Sequence, residues 1–424
     1  MIALLLLTFG VCILLRFPIA FSLGLACLAY LLVEGTPLIV MPMKMYSGID
    51  VFVLLSIPGF ILAGNLMNHG GLTEKIIAFC NHLIGHVRGG LALANIAASM
   101  LFAGISGTAI SDTASIGSVM IPAMKREGYD ADFACAVTAA SSTVGPIIPP
   151  SVSMIIAATL TGLSVGKLFL AGAVPGFLLG VSLLGYTVYV SRKRRYPKHA
   201  RSSLRQVGRS FVATFWALLM TFIILYGIIG GLFTPTEASI VAVLYALVIG
   251  TFVYRKLTWR RTLVVVFDSM RTAASLMVLI GFANLFGYIL ITERLPQLVS
   301  GGILEFTDNR YVVLLLINLL LIFVGTFMET IAALLILFPI LLQVALAVDV
   351  DPIHFSVIAL LNLMIGLTTP PLGVCLFVAA GIGKVPVGAV SRAGFPFLLV
   401  SLVVLSLVTL FPQLSLFLPE LFLD

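Results

Sequence analysis

The sequence predicts an all-α integral membrane protein built from two inverted-topology repeats, each with a re-entrant helical hairpin and a broken helix. Three observations lead to this fold class. Hydrophobic residues make up 60% of the 424 residues and charged residues only 10%, a balance that soluble globular proteins do not reach. Proline and glycine interrupt two otherwise apolar segments. Polar landmarks of the first half return in the same order in the second.

The first half is predicted to begin with two apolar helices separated by Arg16-Phe17-Pro18, both shorter than the roughly 20 residues of a perpendicular span. A third span ends in a polar segment, and an amphipathic helix on the membrane surface follows it. A hairpin, a broken span and a long apolar helix complete this half. In chain order the predicted segments are residues 2–15, 19–34, 51–67, 73–88, 91–124, 131–163 and 168–190.

The second half is predicted to repeat this order. Asp112-Thr113 corresponds to Glu329-Thr330, and Pro149-Pro150 corresponds to Pro370-Pro371, at a nearly constant separation. Such regular recurrence indicates a duplication. The predicted segments are residues 211–229, 237–254, an amphipathic stretch at 257–270, 273–291, a hairpin at 311–348, a broken span at 354–382, and 394–418.

Each half contains an odd number of predicted crossings whether or not its hairpin spans fully, so the second copy is inverted relative to the first. The predicted organisation is a first repeat at residues 1–191, a basic linker at 192–210 and a second repeat at 211–424. Eight of the 24 basic residues lie in the linker, which marks it as cytoplasmic. Of the other 16 basic residues, 12 are predicted to lie on the cytoplasmic side of the membrane and four on the outer side. Both termini are then predicted to be outside.

The two hairpin tips and the two breaks, at 145–151 and 366–373, are the candidate functional positions. A proline removes an N–H from a helix and leaves a carbonyl unpaired, and such backbone persists in a membrane only where it lines a cavity or binds something. Carbonyls are hard oxygen ligands that suit a cation such as sodium. We therefore expect each tip and its break to form one sodium site. Packing of small residues between helices is the alternative interpretation.

Hydroxyl and carboxylate side chains near these positions are candidates to line the substrate cavity. Asp112 and Glu329 are acidic groups expected at membrane depth, where an ionisable residue is a functional candidate. The alternative is that each carboxylate caps the half-helix that follows it. Because a carboxylate repels an anionic substrate, ion attraction or helix positioning is the expected role. The full set is Thr108, Asp112, Thr113, Ser141, Thr326, Glu329 and Thr330.

Other chemistries find little support in the sequence. The five cysteines are scattered without motif spacing, which indicates neither a disulfide framework nor a metal site. His82 and His86 have metal-ligand spacing, but they lie on the predicted surface helix without a glutamate between them, so we interpret them as interfacial polar residues. Nucleotide-binding motifs and a nucleophile elbow are absent from the sequence. Neither direct use of ATP nor an enzymatic activity is therefore expected.

Four motifs together resemble those of the large membrane subunit of tripartite ATP-independent periplasmic (TRAP) transporters, and the resemblance covers essentially the whole chain. They are Gly-Gly-Leu-Phe-Thr-Pro-Thr-Glu-Ala at 230–238 and the segments 106–114, 145–151 and 369–373. The resemblance implies a sodium-driven importer of organic anions, such as C4-dicarboxylates or sialic acids, in the bacterial inner membrane. It implies sodium as the coupling ion and no other cofactor.

The resemblance also implies two protein partners. A soluble periplasmic binding protein delivers the substrate, and a small four-helix membrane subunit accompanies the large one, in some members as a fusion. Because no further helices precede Met1, a separate small subunit is expected. By the same analogy, the hairpins and broken helices form a transport domain that slides like an elevator against a scaffold made of the other helices.

Carried over residue by residue, the resemblance implies two sodium sites. The first uses carbonyls or hydroxyls of Ala103, Ser106, Gly145, Ile148 and Pro150. The second uses Gly325, Met328, Gly366, Thr369 and Leu372. Ala103 and Gly366 stand where other members often carry a hydroxyl, so main-chain ligation is expected at these two positions.

Two alternative functions stay open from the sequence. One is a sodium and divalent-anion symporter that works without a binding protein. The other, from a different class, is an intramembrane enzyme or a structural membrane subunit. An enzyme needs a nucleophile and a base that converge in the membrane, and the sequence does not suggest such a pair.

Overall fold

A computed structural model describes residues 1–106 and 108–423, without the side chains of residues 103–106, 300, 304 and 306. The described residues form helices and connecting segments, with no strand among them, which confirms the predicted all-α class. The helices of the first half are α1 (Ile2–Leu14), α2 (Ile19–Glu34), α3 (Val40–Ile49), α4 (Ser56–His69), α5 (Leu72–Ile84), α6 (Gly90–Ser106), α7 (Ala109–Arg126), α8 (Ala131–Ser142), α9 (Val152–Thr161) and α10 (Val165–Lys193).

The second half follows the same pattern of hairpins and interrupted helices. Its helices are α11 (Leu204–Ile229), α12 (Pro235–Val248), α13 (Trp259–Thr292), α14 (Leu295–Phe306), α15 (Arg310–Phe327), α16 (Thr330–Leu346), α17 (Pro352–Gly366), α18 (Val374–Gly383), α19 (Val387–Leu410) and α20 (Gln413–Leu423). Short 3₁₀ turns at Phe52–Leu55 and Gly145–Ile147 precede α4 and separate α8 from α9, and a π turn at Ile249–Val253 extends α12.

Helix length and hydropathy identify a multi-pass membrane protein. In the described part of the chain, seven helical segments are long and apolar enough to cross a bilayer. The longest are α10, α11, α13 and α19, with 24 to 34 residues, which exceeds the roughly 20 residues that a span requires. Helices α8 and α9 together form a further candidate span, bent by 43° at the break between them. The predicted interruption of this span is therefore observed.

Two sets of helices can be defined by their packing. We define α2, α3, α4, α12 and α13 as the frame helices, because α4 packs on α12 and α13, and α13 packs on α2 and α3. We define α6–α9 and α15–α18 as the core helices. Within the core, α6 and α7 pack on α8, α15 and α16 pack on α17, and α18 packs on both α7 and α8.

The first halves of the two broken helices are central to the core. Residues 133–142 of α8 and 354–366 of α17 are all buried. The buried part of α8 is mainly alanine and serine, and small residues let neighbouring membrane helices approach closely. The core helices therefore pack tightly around the segments that lead into both breaks.

Parts of the predicted helix map are wrong. The stretch at 257–270 and the span at 273–291 form one continuous helix, α13, of 34 residues. Charged residues lower the hydropathy between them, but no proline or glycine is present there to end the helix. The last predicted span, 394–418, is divided into α19 and α20, because Pro412 cannot continue α19. Helices α3 and α14 were not predicted.

The basic linker begins by packing on a loop of the core. Arg194 and the Tyr196 hydroxyl both donate to one Asp130 oxygen, each at 2.7 Å, and the ring of Tyr196 stacks on Tyr129 with 4.4 Å between centroids. Burial, together with the hydrogen bond to Asp130, raises the pKa of Tyr196 to about 12. The hydroxyl therefore keeps its proton at neutral pH and holds the linker against the loop between α7 and α8.

Candidate functional site

The tip of the second hairpin touches the second break through two glycines. Gly325, near the end of α15, and Gly366, the last residue of α17, are both buried. A Cβ on Gly366 would lie 2.6 Å from the Cα of Gly325, and a Cβ on Gly325 would lie 3.1 Å from the Cα of Gly366. Because the opposing atoms belong to the backbone, a side chain at either position would push the two helices apart. This contact therefore requires glycine.

Main-chain hydrogen bonds connect the second break to the hairpin tip. The last N–H before the prolines belongs to Thr369, which donates to the Gly366 carbonyl at 3.0 Å. Residues 370–371 are prolines and have no N–H to donate. The N–H of Gly373 then donates to the Thr326 carbonyl at 3.3 Å. Gly373 has a φ of 56°, in the left-handed region that favours glycine.

The five residues predicted for the second sodium site lie on these two segments. Gly325 and Gly366 are in contact, as described above. The Thr369 hydroxyl donates to a carbonyl one turn earlier at 2.9 Å, and its oxygen keeps lone pairs that a cation can use. Met328 follows α15 with an extended backbone. Leu372 lies in the break, and because a leucine side chain has no oxygen, only its main-chain carbonyl suits a cation.

The first break forms a short turn that ends at a helix cap. Residues 145–147 make a single 3₁₀ turn, and the Ser151 hydroxyl donates to the Pro146 carbonyl at 2.5 Å. The same hydroxyl accepts the N–H of Met154 at 3.3 Å and so caps α9. The chain therefore restarts as a helix directly after Pro149-Pro150.

Two glycines of α10 allow this break to approach that helix. A Cβ on Gly172 would lie 2.7 Å from the Ile147 oxygen, and a Cβ on Gly176 would lie 3.2 Å from the Ile148 nitrogen. Both glycines are buried. Helix α10 therefore helps to position the carbonyls of the break, a role that the sequence did not suggest because α10 is an ordinary apolar span.

The residues predicted for the first sodium site are only partly described. Gly145 and Pro150 are buried in the break, and Ile148 is half-buried there. Helix α6, which contains the predicted hairpin residues Ala103 and Ser106, contacts the 3₁₀ turn. The side chains of Ala103 and Ser106 lie outside the described residues.

Buried polar side chains join the first hairpin to its broken helix. The Asn95 amide donates to the Thr138 hydroxyl at 2.6 Å, and the Ser99 hydroxyl donates to Ser141 at 3.0 Å. All four residues are fully buried. Ser141, predicted to line the substrate cavity, thus makes its contacts between α6 and α8.

A second polar cluster joins the other hairpin to its broken helix. The Asn362 amide donates to both the side-chain and main-chain oxygens of Asn318, and Asn318 donates to the Thr409 hydroxyl at 3.2 Å. These asparagines are not among the residues predicted from the sequence to form a site. Their signal is an amide inside a long apolar segment, because membrane helices use such side chains to bond across helix pairs.

The predicted cavity residues of the first half surround the start of α7. Thr108 is the N-cap, and its hydroxyl accepts the N–H of residue 111 at 3.3 Å. Asp112 and Thr113 are fully buried in the first turns, and the Thr113 hydroxyl donates to a carbonyl of its own helix at 2.9 Å. Thr113 lies within hydrogen-bond reach of Cys375 of α18, and α7 packs on α18. Hairpin 1 and the second broken helix therefore meet at this point.

The predicted cavity residues of the second half surround the start of α16. The Glu329 carboxylate accepts the N–H groups of Ile331 at 3.0 Å and Ala332 at 3.3 Å, so its contacts are those of a helix cap. Thr326 is buried and donates to a carbonyl of α15 at 2.7 Å. Thr330 is buried with its hydroxyl 3.9 Å from a methionine sulfur of α17.

Two cavities lie beside the core, and neither is lined by a residue predicted for a site. The larger, of about 430 Å³, lies between the frame helices α3 and α13 and the core helices α9 and α16. The smaller, of about 330 Å³, lies where α4 and α5 face α7 and is lined by Asn68, Thr73, Glu74, Ala114, Ser115, Ser118 and Val119.

Comparison with known proteins gives matches along nearly the whole chain. Residues 6–414 match the family described as "Tripartite ATP-independent periplasmic transporter, DctM component". The sialic acid TRAP transporter large permease protein SiaM of Vibrio cholerae is 44% identical over 407 residues, which cover 96% of this chain and 95% of SiaM. The C4-dicarboxylate TRAP transporter large permease protein DctM of Pseudomonas aeruginosa is 40% identical over 400 residues, 94% of each chain.

A solved structure has a similar fold. The YdaH transporter of Alcanivorax borkumensis superimposes with a TM-score of 0.63, covering 87% of this chain and 86% of that one. The sequence identity is 15%, so this similarity concerns the fold alone.

Proposed function

We propose, from the premise that this chain belongs to the DctM-component family of TRAP transporters, that it imports an organic carboxylate across the bacterial inner membrane together with sodium ions that enter down their gradient. The observation that carries this proposal is the 44% identity to a sialic acid large permease over nearly both full lengths. A relative named for C4-dicarboxylates is almost as similar. The proposed cargo is therefore of the C4-dicarboxylate or sialic acid class.

Sodium coupling is proposed from the chemistry of the two breaks. Main-chain carbonyls at an interrupted membrane helix are hard oxygen ligands for a cation. The contact of Gly325 with Gly366 and the bond from Gly373 to Thr326 bring the second tip and break close enough to share one ion. We assign the second sodium ion to Gly325, Met328, Gly366, Thr369 and Leu372, and the first to Ala103, Ser106, Gly145, Ile148 and Pro150.

The acidic residues are assigned indirect roles. Glu329 caps α16. A carboxylate at a helix N-terminus interacts favourably with the helix dipole. Asp112 lies in the first turn of α7 and has the same favourable relation to the dipole. Direct contact with an anionic cargo would place like charges together. Thr108, Thr113, Ser141, Thr326 and Thr330 remain the proposed neutral residues of the cargo cavity.

An elevator movement is proposed for the core helices. The buried asparagine clusters fasten each hairpin to its own broken helix, so the core has internal bonds that would let it move as one body. Among the frame helices, α4 packs on α12 and α13, and α13 packs on α2 and α3. We propose two inverted repeats, residues 1–191 and 211–424, joined by a cytoplasmic linker at 192–210, with both termini in the periplasm.

Two partners complete the proposed transporter. A periplasmic binding protein delivers the cargo, and a small four-helix membrane subunit packs on the large one. The family name supports both, because it describes a tripartite and periplasmic system.

Uptake by reconstituted protein tests this function. Proteoliposomes that contain the chain and its small subunit should accumulate labelled substrate only with an inward sodium gradient and with the binding protein present. Replacing sodium by potassium at equal ionic strength is the control. Accumulation without the binding protein would instead favour the two-component symporter, and accumulation without a sodium gradient would contradict sodium coupling.

A further inference from the structure

The cavity of about 430 Å³ between the frame and the core is not used by the proposed sodium sites. Helices α3 and α13 form its frame wall, and α9 and α16 form its core wall. Its volume is in the range of small-molecule sites. Helix α9 begins after the first break and α16 begins at the second hairpin tip, so an occupant would contact both halves of the core.

The frame wall of this cavity carries a positive charge held in place by its neighbours. The Lys44 ammonium lies 4.0 Å from the centroid of the Tyr288 ring, a cation–π contact. The Asn284 amide donates to the Lys44 carbonyl at 2.7 Å, and the Ser47 hydroxyl donates to the same carbonyl at 3.1 Å. These bonds fix the turn of α3 that carries Lys44 against α13.

The charge of Lys44 has no protein counter-ion in the part of the chain that the structure describes, because no carboxylate there lies within ion-pair distance of its ammonium. The Lys44 side chain is half-buried, so water screens it less than a fully exposed charge. The Asn284 amide also donates to the Ser47 hydroxyl at 3.5 Å, and the Tyr288 hydroxyl is a further donor on this wall.

The core wall has the opposite character. Most of its side chains are apolar, namely Ile156, Leu160, Leu335 and Pro339. The hydroxyl of Thr159, which also lines this wall, donates to a carbonyl of its own helix at 2.9 Å. A single cation with a neutral donor on one side and a mainly apolar wall on the other matches a small organic anion with an apolar body. A charge-assisted hydrogen bond from an ammonium to a carboxylate is stronger than a neutral one.

We propose that this cavity is a binding site for a carboxylate group, held by Lys44 with Tyr288, while the apolar part of the solute contacts α9 and α16. The inference rests on the proposed function, because the solute would be the transported cargo. In the orientation predicted from the basic residues, Lys44 lies outside. The cavity would therefore receive the cargo before the core moves.

An introduced thiol measures the charge of the cavity. Gly287 lines it, and no atom lies within 4 Å of a Cβ placed there, so Gly287→Cys adds a thiol without a clash. The native cysteines are buried. In nanodiscs of zwitterionic lipid, the full-length variant is reacted with an anionic and a cationic methanethiosulfonate. Adding Lys44→Gln should lower the labelling rate of the anionic reagent, relative to that of the cationic reagent, by about tenfold. Adding Lys44→Arg should preserve this ratio.

Protection by carboxylates measures the binding itself. Millimolar succinate or N-acetylneuraminate, each tested alone, should slow labelling of the Gly287→Cys variant, and Lys44→Gln should abolish that protection. The control is Gly208→Cys on α11, an exposed position that also has no atom within 4 Å of its Cβ. Its rate ratio should not respond to Lys44→Gln, and neither acid should protect it.

Three results would overturn the inference. The first is a rate ratio that Lys44→Gln leaves unchanged, and the second is labelling that neither acid slows. The third is protection that appears only in nanodiscs containing phosphatidylglycerol, because that result would assign the cavity to a lipid phosphate. Sodium-driven uptake by the unmodified protein is measured separately. Normal uptake without protection refutes this site alone, and protection without uptake refutes the proposed function alone.

Discussion

The side-chain amide of Asn362 donates to both oxygens of Asn318, at 2.8 Å to the side chain and 3.0 Å to the main chain. The two residues connect α17 to α15 inside the core. Asn362 lies one turn before Gly366, and Asn318 lies two turns before Gly325. The asparagine pair therefore helps to set the distance at which the two glycines meet.

Asn362→Leu should loosen this contact. The substitution removes two hydrogen bonds and leaves buried oxygens of Asn318 without that donor, so we expect a loss of about 1 kcal/mol in stability and a higher sodium concentration for half-maximal uptake. Thermal unfolding in detergent and sodium titration of uptake measure the two effects. Ser406→Ala, which removes an exposed bond within α19, is the control. A folded Asn362→Leu variant with normal sodium dependence would show that the pair does not position the site.

Gly366→Ala should have a larger effect on transport. Its methyl group would lie 2.6 Å from the Cα of Gly325, and overpacking of a tight interior costs about 1–3 kcal/mol. We expect the apparent sodium affinity to fall by about tenfold or more, or uptake to be lost. Gly381→Ala on α18 is the matched control, because no atom lies within 4 Å of its Cβ. Equal effects of the two substitutions would contradict a specific role for the glycine contact.

The positions of the breaks could be predicted because their cause is local. A proline lacks its N–H wherever the chain places it, so Pro149-Pro150 and Pro370-Pro371 mark interruptions in any packing. The requirement for glycine at 366 could not be predicted, since it depends on the backbone of Gly325. In the sequence alone, Gly366 was only a departure from the hydroxyl that relatives often carry. In the structure a Cβ has no room there.

The polar clusters and the continuous α13 were missed for a related reason. Asn318 and Asn362 are 44 residues apart, and a hydrophobic pattern does not identify which helix faces which. The boundary placed inside α13 rested on a drop in hydropathy near Arg271. Charge changes where a helix lies relative to the membrane, but it does not stop the backbone from continuing.

Thr369→Val should raise the sodium concentration for half-maximal uptake by about tenfold, because the ion loses one oxygen ligand. The loss of one such ligand is comparable in free energy with the loss of one hydrogen bond to a charged group. Thr368→Val is a closely matched control. Both hydroxyls donate to the Ile365 carbonyl at 2.9 Å, but only Thr369 is assigned to the sodium site. The same titration with Ser106→Ala tests the first site. Similar shifts for Thr368→Val and Thr369→Val would trace the effect to the hydrogen bond and not to the ion.

The orientation of the chain is tested with thiols at two loops. Arg201→Cys lies in the basic linker, which the distribution of basic residues places in the cytoplasm, and Asp308→Cys lies between α14 and α15, which the same prediction places outside. Both positions are exposed, so only the membrane should limit their labelling. A membrane-impermeant maleimide added to intact spheroplasts should label Asp308→Cys and spare Arg201→Cys, and permeabilised cells should label both. The reverse pattern would invert the topology, place both termini in the cytoplasm and turn the Lys44 cavity away from the binding protein.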